Sequence, residues 1–158
     1  MGYDRLVTDG PRTGAERTVD SIRLLEAVGA DTWVASASSA GVAHLVPLSY
    51  SWDGRVVLIA APTASLTARN IRASGRARLA FGATRDVLMI DARLEAEVPL
   101  ADAPAPLADA YVRQADWDPR NESDPYVFLR LRPIRIQAWR EANELDGRTI
   151  MKDGDWLF

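Results

Sequence analysis

The sequence contains no cysteine among its 158 residues, and it contains a single histidine, His44. Without thiols the chain can form no disulfide, no thiolate metal site and no cysteine nucleophile. One imidazole is also too few for a multi-histidine metal site within one chain. We therefore expect no metal site in this protein.

A basic surplus and long apolar runs are missing as well. The chain has 19 lysines and arginines against 22 aspartates and glutamates, a net charge of −3 with histidine neutral. Proteins that bind nucleic acids usually carry the opposite imbalance. No uninterrupted apolar run is long enough to span a bilayer, and the N-terminal region lacks the apolar segment of a signal peptide. We therefore expect a cytoplasmic protein that binds neither nucleic acid nor a membrane.

The most informative stretch covers residues 42–81, VAHLVPLSYSWDGRVVLIAAPTASLTARNIRASGRARLAF. Asp53 and Gly54 separate two apolar, β-rich runs, which predicts two strands joined by a two-residue hairpin turn. Pro47 lies inside the first of these runs. Because proline cannot donate a hydrogen bond to a neighbouring strand, it predicts an edge, a bulge or a break at that point.

Small hydroxyl residues follow the second strand, at the place where a helix over about residues 64–74 would begin. A helix start leaves backbone N–H groups without partners and carries a partial positive charge. Hydroxyl groups and arginines around it would form an anion site, most naturally for a phosphate. Two alternatives stay open: that the hydroxyls only cap the helix, and that the nearby arginines form a solvated basic face. The residues concerned are Ser65, Thr67, Asn70, Arg69, Arg72, Arg76 and Arg78.

The remainder of the chain predicts one domain over residues 1–158. A capping box at Thr13 and Glu16 begins an amphipathic helix whose apolar side carries Val19, Ile22, Leu25 and Val28. Further strands are expected at 33–37, 76–81, 86–98 and 126–140, the last interrupted at Pro133. A helix precedes that strand, and residues 141–158 form a terminal hairpin. Residues 1–30 are an N-terminal arm and helix, and the core lies at about 31–140. About six antiparallel strands in a chain of this size usually close into a barrel or sandwich.

The order and spacing of four segments resemble the pyridoxamine 5′-phosphate oxidase-like FMN-binding split β-barrel superfamily, which includes deazaflavin (F420)-dependent reductases. These segments are VAHLVPLSYSWDGRVVLIAAP, SLTARNIRASGRARLAF, TRDVLMIDARLEAEV and YVFLRLRPIRIQAWR. The resemblance covers about residues 31–140. It implies a mainly β (α+β) fold, a six-stranded antiparallel split β-barrel with Greek-key connections and a few peripheral helices. It also implies a homodimer, with FMN held in a groove between subunits and used for hydride or electron transfer to a small substrate.

The same resemblance implies a set of cofactor-binding residues. The backbone of 45–49 and the Ser49 hydroxyl would face the flavin ring, residues 59–62 would line its next side, and the helix start would hold the phosphate. A later pair would lie near the pyrimidine edge of the ring, and an aromatic-basic pair would close over the cofactor from the partner subunit. In chain order the set is Leu45, Val46, Pro47, Leu48, Ser49, Ala60, Ser65, Thr67, Arg69, Asn70, Arg85, Asp86, Trp139 and Arg140.

One departure from the family pattern keeps three functions open. Many relatives carry Arg or Lys at the positions of Leu66 and Thr67, where such a side chain would pair with phosphate. Without it, Arg69, Arg72 or Arg78 would have to substitute. The chain is therefore expected to be an FMN-dependent oxidoreductase, with an F420-dependent reductase or a non-catalytic flavin-binding dimer as alternatives. No catalytic side chain is identified, which fits a cofactor that itself carries the hydride. His44 is expected to be a structural or surface residue and not a catalytic one.

Overall fold

The structure is a computed structural model that describes residues 10–158. Its centre is a closed barrel of six antiparallel strands in the order β3-β2-β1-β4-β5-β6, closed by a pairing between β3 and β6. Two short strands, β7 and β8, extend the sheet beyond β6. The predicted six-stranded antiparallel barrel with peripheral helices is thus confirmed. Residues 1–9 of the predicted N-terminal arm lie outside the described residues.

The elements follow one another with short connections. The strands are β1 (Asp31–Ala37), β2 (Ala43–Trp52), β3 (Val57–Pro62), β4 (Arg76–Phe81), β5 (Val87–Pro99), β6 (Tyr126–Trp139), β7 (Thr149–Lys152) and β8 (Asp155–Trp156). The helices are α1 (Gly14–Leu25), α2 (Leu66–Ser74) and α3 (Ala105–Ala115). None of these helices, in the part of the chain that the structure describes, has the length and apolar character of a membrane span.

The β2–β3 hairpin forms where the sequence predicts it, although β3 begins two residues later than expected. Trp52 pairs with Val57, and the turn between them includes Gly54 in the left-handed region at φ 91°. The Asp53 carboxylate accepts hydrogen bonds from the amides of Arg55 and Val56, at 2.9 and 2.6 Å. Asp53 therefore stabilises the turn with its side chain, as aspartate commonly does at such positions.

Helix α1 begins at the predicted capping box but buries a different face. Thr13 is the N-cap, and both reciprocal hydrogen bonds with Glu16 are present. Val19 and Val28, predicted to lie on the buried side, are 49% and 70% exposed. The buried stripe consists instead of small and polar residues with one leucine: Gly14, Arg17, Thr18, Ser21 and Leu25.

The reason for this difference lies at the other end of the chain. The ring of Phe158 lies against Gly14 so closely that a Cβ there would stand 2.3 Å from it. The Arg17 guanidinium donates to the backbone carbonyl of Glu144, at 3.2 Å. Contacts with residues near the C-terminus therefore decide which face of α1 is buried, and local periodicity carries no information about them.

Strand β6 is continuous through Pro133, where the sequence predicts an interruption. On one side β6 pairs with β3 as far as Leu131 and then with β7 from Arg135 onward. On the other side its register with β5 shifts between Asp91 and Ala92, which pair with Arg135 and Pro133. The proline thus lies at a β-bulge, where a missing N–H is tolerated.

Helices α2 and α3 pack against different parts of the barrel. Ala68 and Ile71 of α2 belong to the main core inside the barrel, so this helix covers one end of it. Helix α3 packs outside the barrel, where Ala108, Tyr111 and Ala115 bury against Leu58 and Phe128. The start of α2 and the buried side of α3 are therefore both fixed by apolar packing.

A buried ion pair joins the start of the described chain to the segment after β6. The Glu144 carboxylate accepts from the Arg12 guanidinium at 2.8 Å and from the backbone amides of Arg12 and Arg140, both at 2.8 Å. The hydrogen bond from the Arg12 side chain is the main reason why the pKa of Glu144 falls from 4.5 to about 2. The ionised form of Glu144 therefore stabilises the folded state.

We predict that Glu144→Gln lowers the free energy of unfolding at pH 7 by about 2 kcal/mol, because it removes the most buried of the carboxylates that hold Arg12 and leaves the pairing with Asp20 at 2.9 Å. Since the folded-state pKa is lowered, the stabilisation is complete above pH 4.5 and is lost as the pH falls towards 2. The variant should therefore show a weaker pH dependence in that window. Urea unfolding at several pH values measures both effects. Glu141→Gln, which removes the exposed partner of Arg85, is the control and should cost less than about 1 kcal/mol. Equal losses in the two variants would contradict the assignment.

Candidate functional site

A groove opens where β2 and β3 stop pairing. The two strands are paired only from Tyr50–Trp52 to Val57–Ile59. Before Tyr50, β2 continues alongside β1 back to Ala43, while β3 continues alongside β6 to Pro62. The two strands thus separate like a fork, and the groove lies between its arms.

The side chain of Tyr111 occupies the base of this fork. Its hydroxyl donates to the Ser49 carbonyl at 3.0 Å and lies close to the backbone of Ala60. These are the first residues on each strand beyond the paired segment. Burial raises the pKa of Tyr111, so the phenol stays neutral and keeps its proton. Tyr111 therefore satisfies the Ser49 carbonyl, which the separating strands would otherwise leave unpaired.

The arm of β2 offers an unpaired backbone edge to the groove. Because backbone groups alternate in direction along a strand, the Ser49 carbonyl that faces Tyr111 implies the same direction for the backbone groups of Pro47 and Leu45. The register with β1 is continuous from Asp31–Ser49 to Ala37–Ala43. Pro47 therefore marks an edge, one of the three outcomes that the sequence left open, and the pairing records no bulge there.

Two adjoining cavities follow this edge. One, of about 500 Å³, extends from β2 to the start of α2. The other, of about 280 Å³, extends from β2 to Tyr126 on β6 and to Trp117 in the loop after α3. They share Pro47, Leu48 and Pro62. The first is lined in addition by His44, Val46, Ala61, Ser65, Leu66 and Thr67, and the second by Asp31, Ser49, Ala60, Trp117 and Tyr126.

Seven of the predicted cofactor-binding residues line the groove: Val46, Pro47, Leu48, Ser49, Ala60, Ser65 and Thr67. The side chain of Leu45 lies elsewhere, on the outer face of the sheet beside Trp33, Arg78 and Met89. Within the groove the Ser49 hydroxyl donates to Asp31 Oδ1 at 2.9 Å. The walls are otherwise mostly apolar, which suits a flat aromatic group.

Helix α2 begins at the edge of the larger cavity. Ser65 is its N-cap and accepts from the Ala68 amide at 3.2 Å, as the capping alternative predicted. The amides of Leu66 and Thr67 belong to the first turn and have no partner within the helix. They therefore offer two donors, near the positive end of the helix dipole, to an anion in the cavity.

His44 also lines this cavity, and the sequence analysis did not include it in the site. Its Nε2 lies 3.2 Å from the Thr67 hydroxyl, and Thr67 is only 2% exposed. Strand alternation could have revealed it, because His44 shares one face of β2 with Val46 and Leu48. The distance to Thr67, in contrast, depends on how α2 packs.

The cations proposed to substitute near Leu66 and Thr67 are largely engaged elsewhere. Arg72 makes two hydrogen bonds to Glu97, at 2.8 and 2.7 Å, and Arg78 makes one to Asp91 at 2.6 Å. Arg69 donates to the Ala64 carbonyl at 2.9 Å. Asn70 donates to the Ser36 hydroxyl and ties α2 to β1. None of these four side chains lines the larger cavity in the described structure.

The last four predicted residues form a separate cluster beside α1 and the end of β6. Arg140 donates to Asp86 at 3.1 Å, Arg85 pairs with Glu141 at 3.2 Å, and the Arg148 guanidinium lies 5.6 Å from the Trp139 ring centre. Within the described part of one chain, this cluster does not line either cavity of the groove. Its role at a cofactor stays a prediction that involves a second subunit.

The donor set around the groove fits an organic anion better than a metal ion. Over residues 10–158, no group of three or more histidine, cysteine, aspartate or glutamate side chains could hold a metal. Apolar walls, an unpaired strand edge and first-turn amides are instead the features that suit a planar ring attached to a phosphate.

A family model described as pyridoxamine 5′-phosphate oxidase matches residues 32–140 of the sequence. No curated protein matches it. Solved structures do, and the three described next are each below 25% identical, so that they show the fold alone.

A structure described as an F420 reductase is 20% identical, with a TM-score of 0.58, and the match covers 72% of this chain and 93% of that one. A Clostridium acetobutylicum protein related to general stress protein 26 of B. subtilis, described as pyridoxinephosphate oxidase family, is 14% identical (TM-score 0.60; 80% and 89% covered). A heme binding protein from Mycobacterium smegmatis is 17% identical (TM-score 0.59; 90% and 59% covered). The fold thus carries proteins with different described ligands, and the choice among them depends on the site.

Proposed function

Because the chain belongs to the pyridoxamine 5′-phosphate oxidase family, a family of flavin-related oxidoreductases, we propose that it is an oxidoreductase that binds FMN in the β2–β3 groove. The observation that carries the proposal is the continuity of the groove. It joins the unpaired edge of β2 to the first turn of α2, so that one ligand could contact both. An isoalloxazine ring would use the edge, and its phosphate would use the first-turn amides.

The residues present fit this ligand by their chemistry. Val46, Leu48 and Pro62 supply apolar surface for a planar ring. The backbone groups of the β2 edge supply hydrogen bonds for the polar rim of the ring, and the start of α2 supplies N–H groups and a hydroxyl for the phosphate.

When bound, the flavin supplies the hydride-transfer chemistry, and the chain supplies position and surroundings. The β2 edge fixes the orientation of a ring through hydrogen bonds, which alternation along the strand spaces regularly. The Ser49 hydroxyl keeps its proton directed at Asp31 Oδ1. Trp117 and Tyr126, whose ring centres are 5.5 Å apart, line the smaller cavity and supply aromatic surface at that end.

The second candidate cofactor is F420, which the likeness to a structure described as an F420 reductase favours. F420 is also a flat ring with a phosphate-containing side chain, so the same groove would suit it. It differs from FMN in a phosphodiester and a polyglutamate tail, which need a longer cationic surface. FMN ranks first because, within the described structure, no lysine or arginine lines either cavity of the groove.

The proposal includes a homodimer formed through the outer face of the sheet. Trp33 and Leu45 are 50% and 58% exposed, and they line one shallow depression together with Ala80 and Met89. Trp33 pairs with Pro47 on one side and Ala80 on the other, and Ala80 pairs with Met89, so this apolar surface runs across four strands next to the groove. A second copy is the occupant that fits best, because a symmetric pair would cover both apolar surfaces at once.

A second copy would also give the separate cluster a role. Trp139 pairs with Val87 at the end of the same sheet, and Arg140 and Asp86 are ion-paired beside it. In a dimer this end of one subunit would approach the groove of the other. We propose that Arg85, Asp86, Trp139 and Arg140 act there from the partner subunit.

The purified protein is expected to bind FMN in preference to F420. At an FMN concentration 100 times Kd, binding should stabilise the fold by about 2.7 kcal/mol. For a chain of this length that raises Tm by about 5–10 °C. The visible spectrum and thermal melts with each cofactor measure this. If flavin absorbance is absent and FMN leaves Tm unchanged, the proposed function is wrong, and a larger shift with F420 would reverse the ranking.

Charge changes at Leu66 should move FMN affinity in opposite directions. Leu66 is 55% exposed at the first position of α2 and lines the larger cavity, so substitution there should leave the fold intact. We predict that Leu66→Glu weakens FMN binding about tenfold and Leu66→Lys strengthens it about tenfold, the effect of about one charge-assisted hydrogen bond. Isothermal titration with FMN measures both, and riboflavin, which lacks the phosphate, should bind the two variants equally. Parallel changes in both variants would place the phosphate elsewhere.

Trp33→Lys should dissociate the dimer. A central interface aromatic contributes about 2 kcal/mol or more, so the dimer dissociation constant should rise at least about 30-fold. Val28→Lys is the matched control, because Val28 is also an exposed apolar residue but lies outside the proposed interface. Sedimentation equilibrium over a range of concentrations distinguishes the two. A monomeric unmodified protein, or a Trp33→Lys dimer as tight as the control, would contradict this interface.

A further inference from the structure

Among the described residues, one side chain in the larger cavity could supply positive charge to the proposed phosphate site. Nine side chains from residues 10–158 line the larger cavity, and His44 is the one among them that can become positively charged. Arg72 and Arg78 are held by Glu97 and Asp91, and the Arg69 side chain folds back onto the Ala64 carbonyl. Among these described lining residues there is also no carboxylate that would compete with a phosphate for His44.

We propose that His44 is a phosphate-binding residue, which supplies from β2 the positive charge at the start of α2. The inference rests on the proposed function and specifies which side chain selects a phosphorylated cofactor. His44 would act together with the Thr67 hydroxyl and the first-turn amides of α2.

The position of the imidazole supports this role. The His44 side chain lies against the start of α2, with its Nε2 3.2 Å from Thr67 Oγ1. Thr67 is the second residue of the helix, so a side chain in contact with it lies beside the amides that have no intrahelical partner. An anion bound to those amides would therefore lie within reach of the imidazole. A protonated imidazole donates from both nitrogens and forms strong hydrogen bonds with phosphate oxygens.

A purely structural role makes a different prediction. If His44 only orders Thr67, its replacement would weaken every flavin alike, because it would disturb the groove as a whole. If it binds phosphate, its replacement would weaken FMN and spare riboflavin. The ratio of the two affinities therefore separates the roles, independently of any measurement of turnover.

The experiment titrates FMN and riboflavin into the full chain and into His44→Gln and His44→Lys at pH 6.5, with melting temperature as the check on folding. Glutamine keeps a hydrogen-bond donor without charge, and lysine keeps the charge on a different side chain. We expect His44→Gln to weaken FMN binding about tenfold or more and to change riboflavin binding less than about twofold. His44→Lys should bind FMN within about threefold of the unmodified protein.

Three results would overturn the inference while the proposed function stands: equal losses of FMN and riboflavin in His44→Gln, no loss of either, or a His44→Lys variant that binds FMN as weakly as His44→Gln. An unmodified protein that binds riboflavin as tightly as FMN would also exclude a phosphate site. If the unmodified protein binds neither flavin, the proposed function fails first and the inference fails with it. Each outcome is distinguishable from the others in the same set of titrations.

Discussion

The groove depends on one buried hydroxyl group. Where two paired strands separate, each loses the hydrogen bonds of its partner, and backbone groups buried without partners are costly. Tyr111 contacts the first residue beyond the pairing on each arm, Ser49 and Ala60, and so makes the separation stable. Its ring is held between Phe128 and Trp117, at centre distances of 5.0 and 6.4 Å. The packing of α3 outside the barrel is therefore what keeps the fork open.

The other end of the groove is fixed in a similar way by α2. This helix carries Ala68 and Ile71 into the barrel core, while Ser65 and Thr67 at its start line the cavity. Because the same short helix serves both purposes, its first turn cannot move without disturbing the core. Asn70, which donates to Ser36 on β1, adds a polar attachment. The first-turn amides of α2 are thus held rigidly, which would reduce the entropy lost if the proposed phosphate binds there.

Much of the fold could be predicted from the sequence because its signals are local. The Asp53 and Gly54 turn, the Thr13 capping box and the helix end at Gly75 each depend on a few neighbouring residues. The buried face of α1 could not be predicted, because Phe158 and Glu144, distant in sequence, decide it.

The candidate site likewise has features that local sequence predicts and features that depend on contacts between distant elements. The strand segment around Pro47 and the hydroxyls of the helix start were recognisable as motifs. The engagement of Arg72 and Arg78 by carboxylates on β5 was not, because these are contacts between elements. Nor was the position of Tyr111 at the fork, since a helical tyrosine looks like any other core residue until the strands around it are placed.

The unpaired edge of β2 also bears on how the protein avoids self-association into fibres. An open strand edge can accept a strand from another molecule, and proteins commonly block that reaction with a residue unable to complete the ladder. Pro47 stands in the middle of this edge and has no N–H to offer an incoming strand. A small rigid ligand needs only a few of the remaining groups, whereas a second strand would need all of them. The same residue therefore leaves the edge open to a cofactor and closed to aggregation.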